Sequence, residues 1–170
     1  MLFFQTLLKP RKYFGFIDDR HIKSNKLLVQ NEMTEKYYFD TSIWLDFFED
    51  RNEPNLPKGE WAHRLFNKII ENNDQIIYSD NTLYELKMLG YSEYEFDALL
   101  QPFETILIYV ESTEKQISRA KDLSLKRNLP KRDALHALIA RDNKATLITL
   151  DKHFHRMGDI IKAQRPQDLI

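Results

Sequence analysis

The chain has 170 residues and a formal net charge of -1, with 42% hydrophobic residues, 30% charged residues and no cysteine. This length suits one domain that buries roughly two-thirds of its unfolded surface, and the composition excludes wholesale disorder. The lack of cysteine excludes disulfides, zinc-thiolate sites and thiol catalysis, and it is compatible with a cytoplasmic protein.

Residues 1–36 differ from the rest of the chain, and we expect them to form an N-terminal extension to a main domain at 37–170. Their apolar patches alternate with basic clusters, without sustained helical or strand periodicity. The apolar run at the start is short and precedes its basic residues, so neither a signal peptide nor a membrane span is expected. The extension either packs on the domain or a partner, or lies upstream of a natural start at Met33.

The first half of the main domain is predicted to alternate strands and helices. Short runs of apolar, aromatic and β-branched residues predict strands at 37–40, 75–79 and 105–110. Apolar residues at helical spacing predict helices after the first strand, at 60–72, from about 80 to Gly90, and at 91–103. Ser79 or Asp80 is positioned to cap the helix that follows the second strand.

The second half continues this alternation. Thr113 and Gln116 have the spacing of a capping box, which predicts a helix to about Arg127. A helix at 130–143 and a buried strand at 146–150 follow, and a weak fifth strand is expected at 159–163. Strands separated by helices predict a parallel sheet in a three-layer α/β/α sandwich with right-handed crossovers.

Two carboxylates are expected to face each other across the last helix and strand pair. Asp133 lies in the first turn of the 130–143 helix, and Asp151 directly follows the 146–150 strand. A helix that leads directly into a strand runs antiparallel to it, so the helix start and the strand end share one edge of the sheet. Asp133 and Asp151 should therefore be close in space.

Two further acids are expected at the same edge, because ligand crevices in open α/β sheets lie at the carboxyl ends of the strands. Asp40 ends the first strand, and Glu85 lies in the helix after the second. If the strand order is 3-2-1-4-5, Asp40 and Asp151 flank the point where the order reverses. Carboxylates this close raise one another's pKa unless a cation neutralises them, so we predict a Mg²⁺ or Mn²⁺ site.

The segment around the last two acids is basic. From Arg119 to Arg165 there are twelve Lys and Arg residues against five Asp. Lys131, Arg132 and Lys152 directly neighbour the two acids, an arrangement expected where a polyanion is drawn toward a carboxylate-bound metal. A solvated helix surface rich in Lys and Arg explains the charge equally well.

Structural explanations also remain open for the individual site candidates. Any one of the acids alone is better explained as a helix cap or a surface charge. His136 could orient Asp133 from the next helical turn, although a packed core histidine is the favoured interpretation. His153 and His155 lie near Asp151 and could bind a metal. Side chains that alternate after the end of a strand are, however, more typical of an exposed loop.

Four segments together resemble the successive motifs of PIN-domain ribonucleases, especially VapC-type toxins. They are Phe39-Asp40-Thr41-Ser42, the stretch 79–86 with Glu85, the stretch 133–140 beginning Asp-Ala-Leu-His, and the stretch 147–154 containing Asp151. The resemblance spans about residues 37–170. It implies a PIN-like nuclease domain with strand order 3-2-1-4-5, metal-dependent cleavage of RNA phosphodiester bonds, a homodimer and inhibition by a cognate antitoxin.

The resemblance also implies roles for particular residues. The family's metal-binding and catalytic acids correspond to Asp40, Glu85, Asp133 and Asp151, with Ser42 or Thr149 as a polar assistant. Lys131, Arg132 and Lys152 would then hold the RNA backbone. The chain departs from the family in its long N-terminal extension and in Leu150, which stands between Thr149 and Asp151 where Arg or a small polar residue is frequent.

Three other functions compete with a metal-dependent endoribonuclease. A catalytically inactive RNA-binding or protein-interaction module with the same fold is the main alternative, and metal dependence would separate the two. Phosphoryl-transfer proteins with this fold class place an acid pair at the first strand, whereas Asp40-Thr41-Ser42 supplies one acid. No phosphate-binding glycine motif occurs, which disfavours a nucleotide-dependent ATPase.

Overall fold

A five-stranded sheet forms the centre of this computed structural model, which describes residues 34–170. Every strand pairing is parallel, and the order across the sheet is 3-2-1-4-5. The strands are β1 Lys36–Phe39, β2 Gln75–Ser79, β3 Leu107–Val110, β4 Thr146–Ile148 and β5 Ala163–Gln164. The predicted parallel sheet and its strand order are confirmed.

Six α-helices connect these strands in the described part of the chain. They are α1 Thr41–Glu49, α2 Lys58–Asn72, α3 Asp80–Met88, α4 Glu93–Leu100, α5 Glu114–Arg127 and α6 Lys131–Asp142. Short 3₁₀ helices occupy Gln101–Ile106, Lys152–Met157 and Pro166–Asp168. None of the helices within residues 34–170 has the length and apolar character needed to cross a membrane.

The helices cover both faces of the sheet, which makes the fold a three-layer sandwich. Successive strand residues point to opposite faces, and the two hydrophobic clusters follow this alternation. Tyr38 and Leu147 belong to the cluster that includes α5 and α6, whereas their neighbours Phe39 and Ile148 belong to the cluster of α1 to α4. Since both faces are covered, the central strands β1, β2 and β4 are largely buried as predicted for a parallel sheet, whereas the edge strands β3 and β5 are at most partly buried.

Several predicted details at the ends of helices are present. The Ser79 side chain accepts a hydrogen bond from the Thr82 N–H, so Ser79, not Asp80, is the cap of α3. Thr113 and Gln116 form the expected capping box at the start of α5. These caps satisfy backbone donors that the first turn of a helix leaves without partners.

The predicted bounds of the last three strands need correction. β3 begins at Leu107, two residues late, because the chain after Pro102 continues as a 3₁₀ helix to Ile106. β4 ends at Ile148, so Thr149 and Leu150 follow the strand. The fifth strand is at Ala163–Gln164 instead of 159–163, since the amides of Ile160 and Ile161 both donate to the Met157 carbonyl and turn the chain.

The predicted N-terminal extension lies outside the described residues except for its last three positions. Of these, Lys36 is already the first residue of β1. The possible natural start at Met33 also lies outside the described range, and both remain predictions.

Candidate active site

The four predicted acids lie at the carboxyl edge of the sheet, in two groups. Asp40 follows β1 directly, and Glu85 lies on α3. Asp133 is in the first turn of α6, and Asp151 is three residues beyond β4. Each pair of acids shares its group with a histidine, and the ligand atoms within a group lie within 4.8 Å of one another. The groups are Asp40, Glu85 and His136, and Asp133, Asp151 and His153.

Asp40 is held by both of the predicted polar assistants. Its Oδ2 accepts hydrogen bonds from Thr149 Oγ1 at 2.8 Å and from Ser42 Oγ at 3.0 Å. Its backbone N–H donates to the Ile148 carbonyl, which continues the pairing of β1 with β4. The Thr149 hydroxyl also accepts from the Asp151 N–H at 3.0 Å and therefore links the two acids.

Glu85 is kept in its charged form by surrounding donors. Burial opposes the charge, but the hydrogen bond and charge of His136, the Thr41 hydroxyl and Arg132 hold the pKa of Glu85 below its ordinary value. Thr41 Oγ1 and His136 Nε2 both donate to Glu85 Oε2, the latter at 3.0 Å. The Arg132 Nε lies 3.9 Å from the other carboxylate oxygen. Glu85 is therefore a carboxylate with a fixed orientation.

His136 is the buried centre of this group, with 1% of its surface exposed. Burial disfavours the imidazolium, but Tyr38, Glu85 and Asp40 outweigh burial and raise the pKa of His136 to about 10. Its Nδ1 lies 2.7 Å from Tyr38 Oη, which in turn lies 2.7 Å from Ser79 Oγ. The predicted core position is thus observed, but the histidine orients Glu85 instead of hydrogen-bonding Asp133.

Asp133 lies among carboxylates with less compensating charge. Burial and the neighbouring Asp40 and Asp151 carboxylates raise its pKa to about 6, and His136 and His153 oppose this shift only partly. A carboxylate in this state gains strongly from a nearby cation, and oxygen ligands suit Mg²⁺ or Mn²⁺. The donor set therefore fits a hard divalent ion.

His153 lies beside two of the predicted acids, although it was expected only in an exposed loop. Its side chain is 48% exposed, yet Nδ1 lies 3.2 Å from Asp133 Oδ2 and 3.4 Å from Asp151 Oδ2. The His153 N–H also donates to Asp151 Oδ1 at 2.8 Å, which starts the 3₁₀ helix after Asp151. The sequence signal that could have indicated this position is the spacing of His153, two residues after Asp151. A turn after Asp151 brings the His153 side chain back to the carboxylate.

The three predicted RNA-binding cations have different surroundings. Arg132 donates to Asn81 Oδ1 at 3.0 Å, and its guanidinium lies 3.9 Å from the centre of the Tyr84 ring. Arg132 therefore reaches from α6 to side chains of α3 next to Glu85. Lys131 and Lys152 are exposed beside Asp133 and Asp151. Contact of any of them with RNA remains a prediction.

The sequence matches a known protein family, and the fold resembles several solved structures. A family model described as PIN domain matches residues 37–160. The structure resembles chains from the Rickettsia felis VapBC2 complex with a promoter DNA fragment (19% identity, TM-score 0.55) and from a Klebsiella pneumoniae toxin-antitoxin complex (19%, 0.51). Each likeness covers 76% of this chain and 98% of that chain. The similarity to Neisseria gonorrhoeae FitAcB is 18% identity over 78% and 99% of the two chains, with a TM-score of 0.50. Among curated proteins, none is significantly similar to the sequence.

The pKa of Asp133 predicts a stability effect in the absence of metal. Because this pKa is raised from 3.8 to about 6 in the folded state, wild type loses stability as the pH rises through that window. We expect Asp133→Asn to remove this loss and to raise the free energy of unfolding at neutral pH by up to about 3 kcal/mol. Urea denaturation in EDTA between about pH 4 and pH 8 measures it. Asp122→Asn, at an exposed acid of α5, is the control, and an unchanged pH profile in Asp133→Asn would contradict the assignment.

The buried pair of His136 and Glu85 predicts a coupled effect. His136→Leu removes the nearest cation from the partly buried Glu85 carboxylate and one of the two partners of the Tyr38 hydroxyl, so we expect a loss of about 3–5 kcal/mol in the free energy of unfolding. Glu85→Gln in the same background should recover part of this loss, because a neutral amide does not need the cation. A double-mutant cycle by urea denaturation measures the coupling, and strictly additive losses would be inconsistent with the pair.

Proposed function

Because this chain belongs to the PIN-domain family of nucleases, we propose that it is a metal-dependent endoribonuclease that hydrolyses RNA phosphodiester bonds. The observation that supports this most directly is the geometry of the acids, because Asp40 with Glu85 and Asp133 with Asp151 form two neighbouring groups, each with ligand atoms within 4.8 Å of one another, an arrangement suited to binding a cation. A catalytically inactive binding module is the alternative, and metal-dependent cleavage separates the two. We assign the chain to the toxins of toxin-antitoxin pairs, with an RNA-processing role as the alternative.

Asp40, Glu85, Asp133 and Asp151 are the residues that would hold Mg²⁺ or Mn²⁺, directly or through water. When bound, such an ion lowers the pKa of a coordinated water and stabilises charge on the phosphate and the leaving oxygen. The protein itself contributes no nucleophile in this scheme. Cysteine is absent, and the hydroxyls of Ser42 and Thr149 donate to Asp40.

The other side chains of the site orient these acids and the substrate. Ser42 and Thr149 both donate to one oxygen of Asp40 and so fix the orientation of its carboxylate, while its other oxygen lies 3.8 Å from His136 Nε2. Glu85 is charged and held by His136 and Thr41, which suits it to orient the attacking water. Lys131 and Lys152 are placed to contact the RNA backbone beside the acids.

Two protein partners belong to this proposal, a cognate antitoxin and a second copy of the chain. The PIN-family resemblance implies both, and two of the similar structures are described as toxin-antitoxin or VapBC complexes. Large apolar side chains at the end of α3 and the start of α4 are exposed, with Met88 at 70% and Tyr94 at 82%. Exposed apolar residues of this size are suited to a protein contact.

RNA cleavage tests the catalytic part of the proposal. We expect purified wild type to cut a mixed structured RNA with Mg²⁺ or Mn²⁺ and not with EDTA. Asp40→Asn and Asp151→Asn should each reduce the rate by at least about 100-fold, because each removes a ligand charge. Gel analysis of labelled RNA measures the rate, with Asp122→Asn as the matched control. Equal RNA binding by wild type and variants without cleavage under any metal would instead support the inactive binding module.

Growth of an expressing bacterium separates the toxin role from RNA processing. Induction of wild type should arrest growth, whereas Asp40→Asn at the same protein level should not, because the arrest requires cleavage. Optical density and colony counts after induction measure the effect. Normal growth with a wild-type protein that still cuts RNA in vitro would favour the processing role.

A further inference from the structure

A pocket of about 230 Å³ lies next to Asp151 and outside the acid groups. It opens between the end of β4, the 3₁₀ helix Lys152–Met157 and β5. Thr149 and Asp151 form the wall that it shares with the candidate active site. Its remaining lining includes Leu150, Phe154, Gln164 and two cationic residues, Lys162 and Arg165. The proposed chemistry of the acids does not use this pocket.

The lining combines a rigid apolar wall with polar groups at its margin. Phe154 is 2% exposed, and the partly buried Leu150 packs on the cluster that includes Phe39 and Ile148. The core therefore fixes this wall in place. Gln164 provides an amide that can donate and accept hydrogen bonds, and its backbone carbonyl is already bonded to the Thr149 N–H.

The two cationic residues of the pocket differ in how far they are free to bind an anionic ligand. Two hydrogen bonds of 3.0 Å tie the Arg165 guanidinium to the Asp168 carboxylate, which offsets much of its charge. Lys162 is exposed beside the pocket. An anionic group that enters next to Asp151 therefore meets Lys162 as its main counter-charge.

The size of the pocket limits what it can hold. Pockets for drug-sized ligands are roughly 300–1,000 Å³, so about 230 Å³ suits one small planar group. An apolar wall for contact with a base, an amide for its hydrogen-bonding edge and a cation for a phosphate together suit one nucleotide of single-stranded RNA, whose unpaired bases are open to such contacts. Because Asp151 lines the pocket, a group bound there lies next to the acids.

We propose that this pocket binds the base of the nucleotide next to the scissile phosphate in single-stranded RNA, with Lys162 on the phosphate of that nucleotide. The proposal rests on the proposed ribonuclease function. Leu150 and Gln164 are then the residues that determine which base is accepted at the cut. Leu150, the apolar residue between Thr149 and Asp151, then serves as the wall for the base.

Two variants of the full chain test the pocket without altering the acids. Leu150→Trp fills it, so we expect the nucleotide preference at the cut to change and the KM for a short single-stranded RNA to rise about tenfold or more. Lys162→Gln should raise KM and lower the slope of log binding against log salt by about one. Lys126→Gln, at an exposed lysine of α5, should change neither. Mn²⁺ affinity, measured by calorimetry, should remain the same in all three variants.

A direct binding measurement keeps this inference separate from the ribonuclease function. Methyl NMR of the full chain is recorded with each of the four ribonucleoside monophosphates. The signals of Leu150 and of Ile161, which also lines the pocket, should shift with a preferred base. This shift would support the pocket even if the wild type cut no RNA. Unshifted methyl signals, together with unchanged KM, salt slope and cleavage pattern in both variants, would overturn the proposal even if metal-dependent cleavage is found.

Discussion

Four carboxylates lie close together at one edge of the sheet, and their mutual repulsion is the constraint on which the neighbouring structure depends. The protein itself compensates the charge of the group with Glu85, because the buried His136 has a pKa of about 10 and donates to Glu85. Tyr38 supports His136 from the sheet. The other group, around Asp133, is compensated only in part by His136 and the half-exposed His153, and the pKa of Asp133 is raised to about 6. The site is therefore asymmetric, with an internally compensated side and a side where an added cation gains the most.

The pairing of β1 with β4 produces this crowding. Phe39 pairs with Ile148, so the Asp40 amide still reaches the Ile148 carbonyl, and Thr149 arrives beside Asp40 as the chain leaves the sheet. The Thr149 hydroxyl then accepts from the Asp151 amide. One side chain thus fixes the distance between acids that are 111 positions apart in sequence. A shift of the strand register by one residue would reverse the faces of β4 and separate them.

The sequence was most informative where local patterns determine the structure. Asp40 and Asp133 were found because one ends a buried strand and the other opens a helix, and both positions follow from apolar periodicity. The role of His136 was not predictable in this way, because it depends on how α6 packs against α3 and joins residues 51 positions apart. The position of His153 beside Asp133 and Asp151 was not predicted for a similar reason, because a turn and not a strand determines the direction of its side chain. The bounds of β3 and β5 were misjudged because 3₁₀ turns leave little trace in apolar spacing.

The charge distribution couples the binding of the two proposed ligands, the divalent cation and the RNA. The segment from Arg119 to Arg165 has twelve Lys and Arg residues against five Asp, and two of these five, Asp133 and Asp151, lie together at the cleft where the scissile phosphate would lie. Without a divalent ion, the cleft repels the phosphate that Lys131, Lys152 and Lys162 attract at its margin. A bound ion reverses the local sign, so it should strengthen RNA binding most at the cleavage position. By linkage, RNA must then strengthen binding of the ion by the same factor, which makes occupancy of the Asp133 side depend on the substrate.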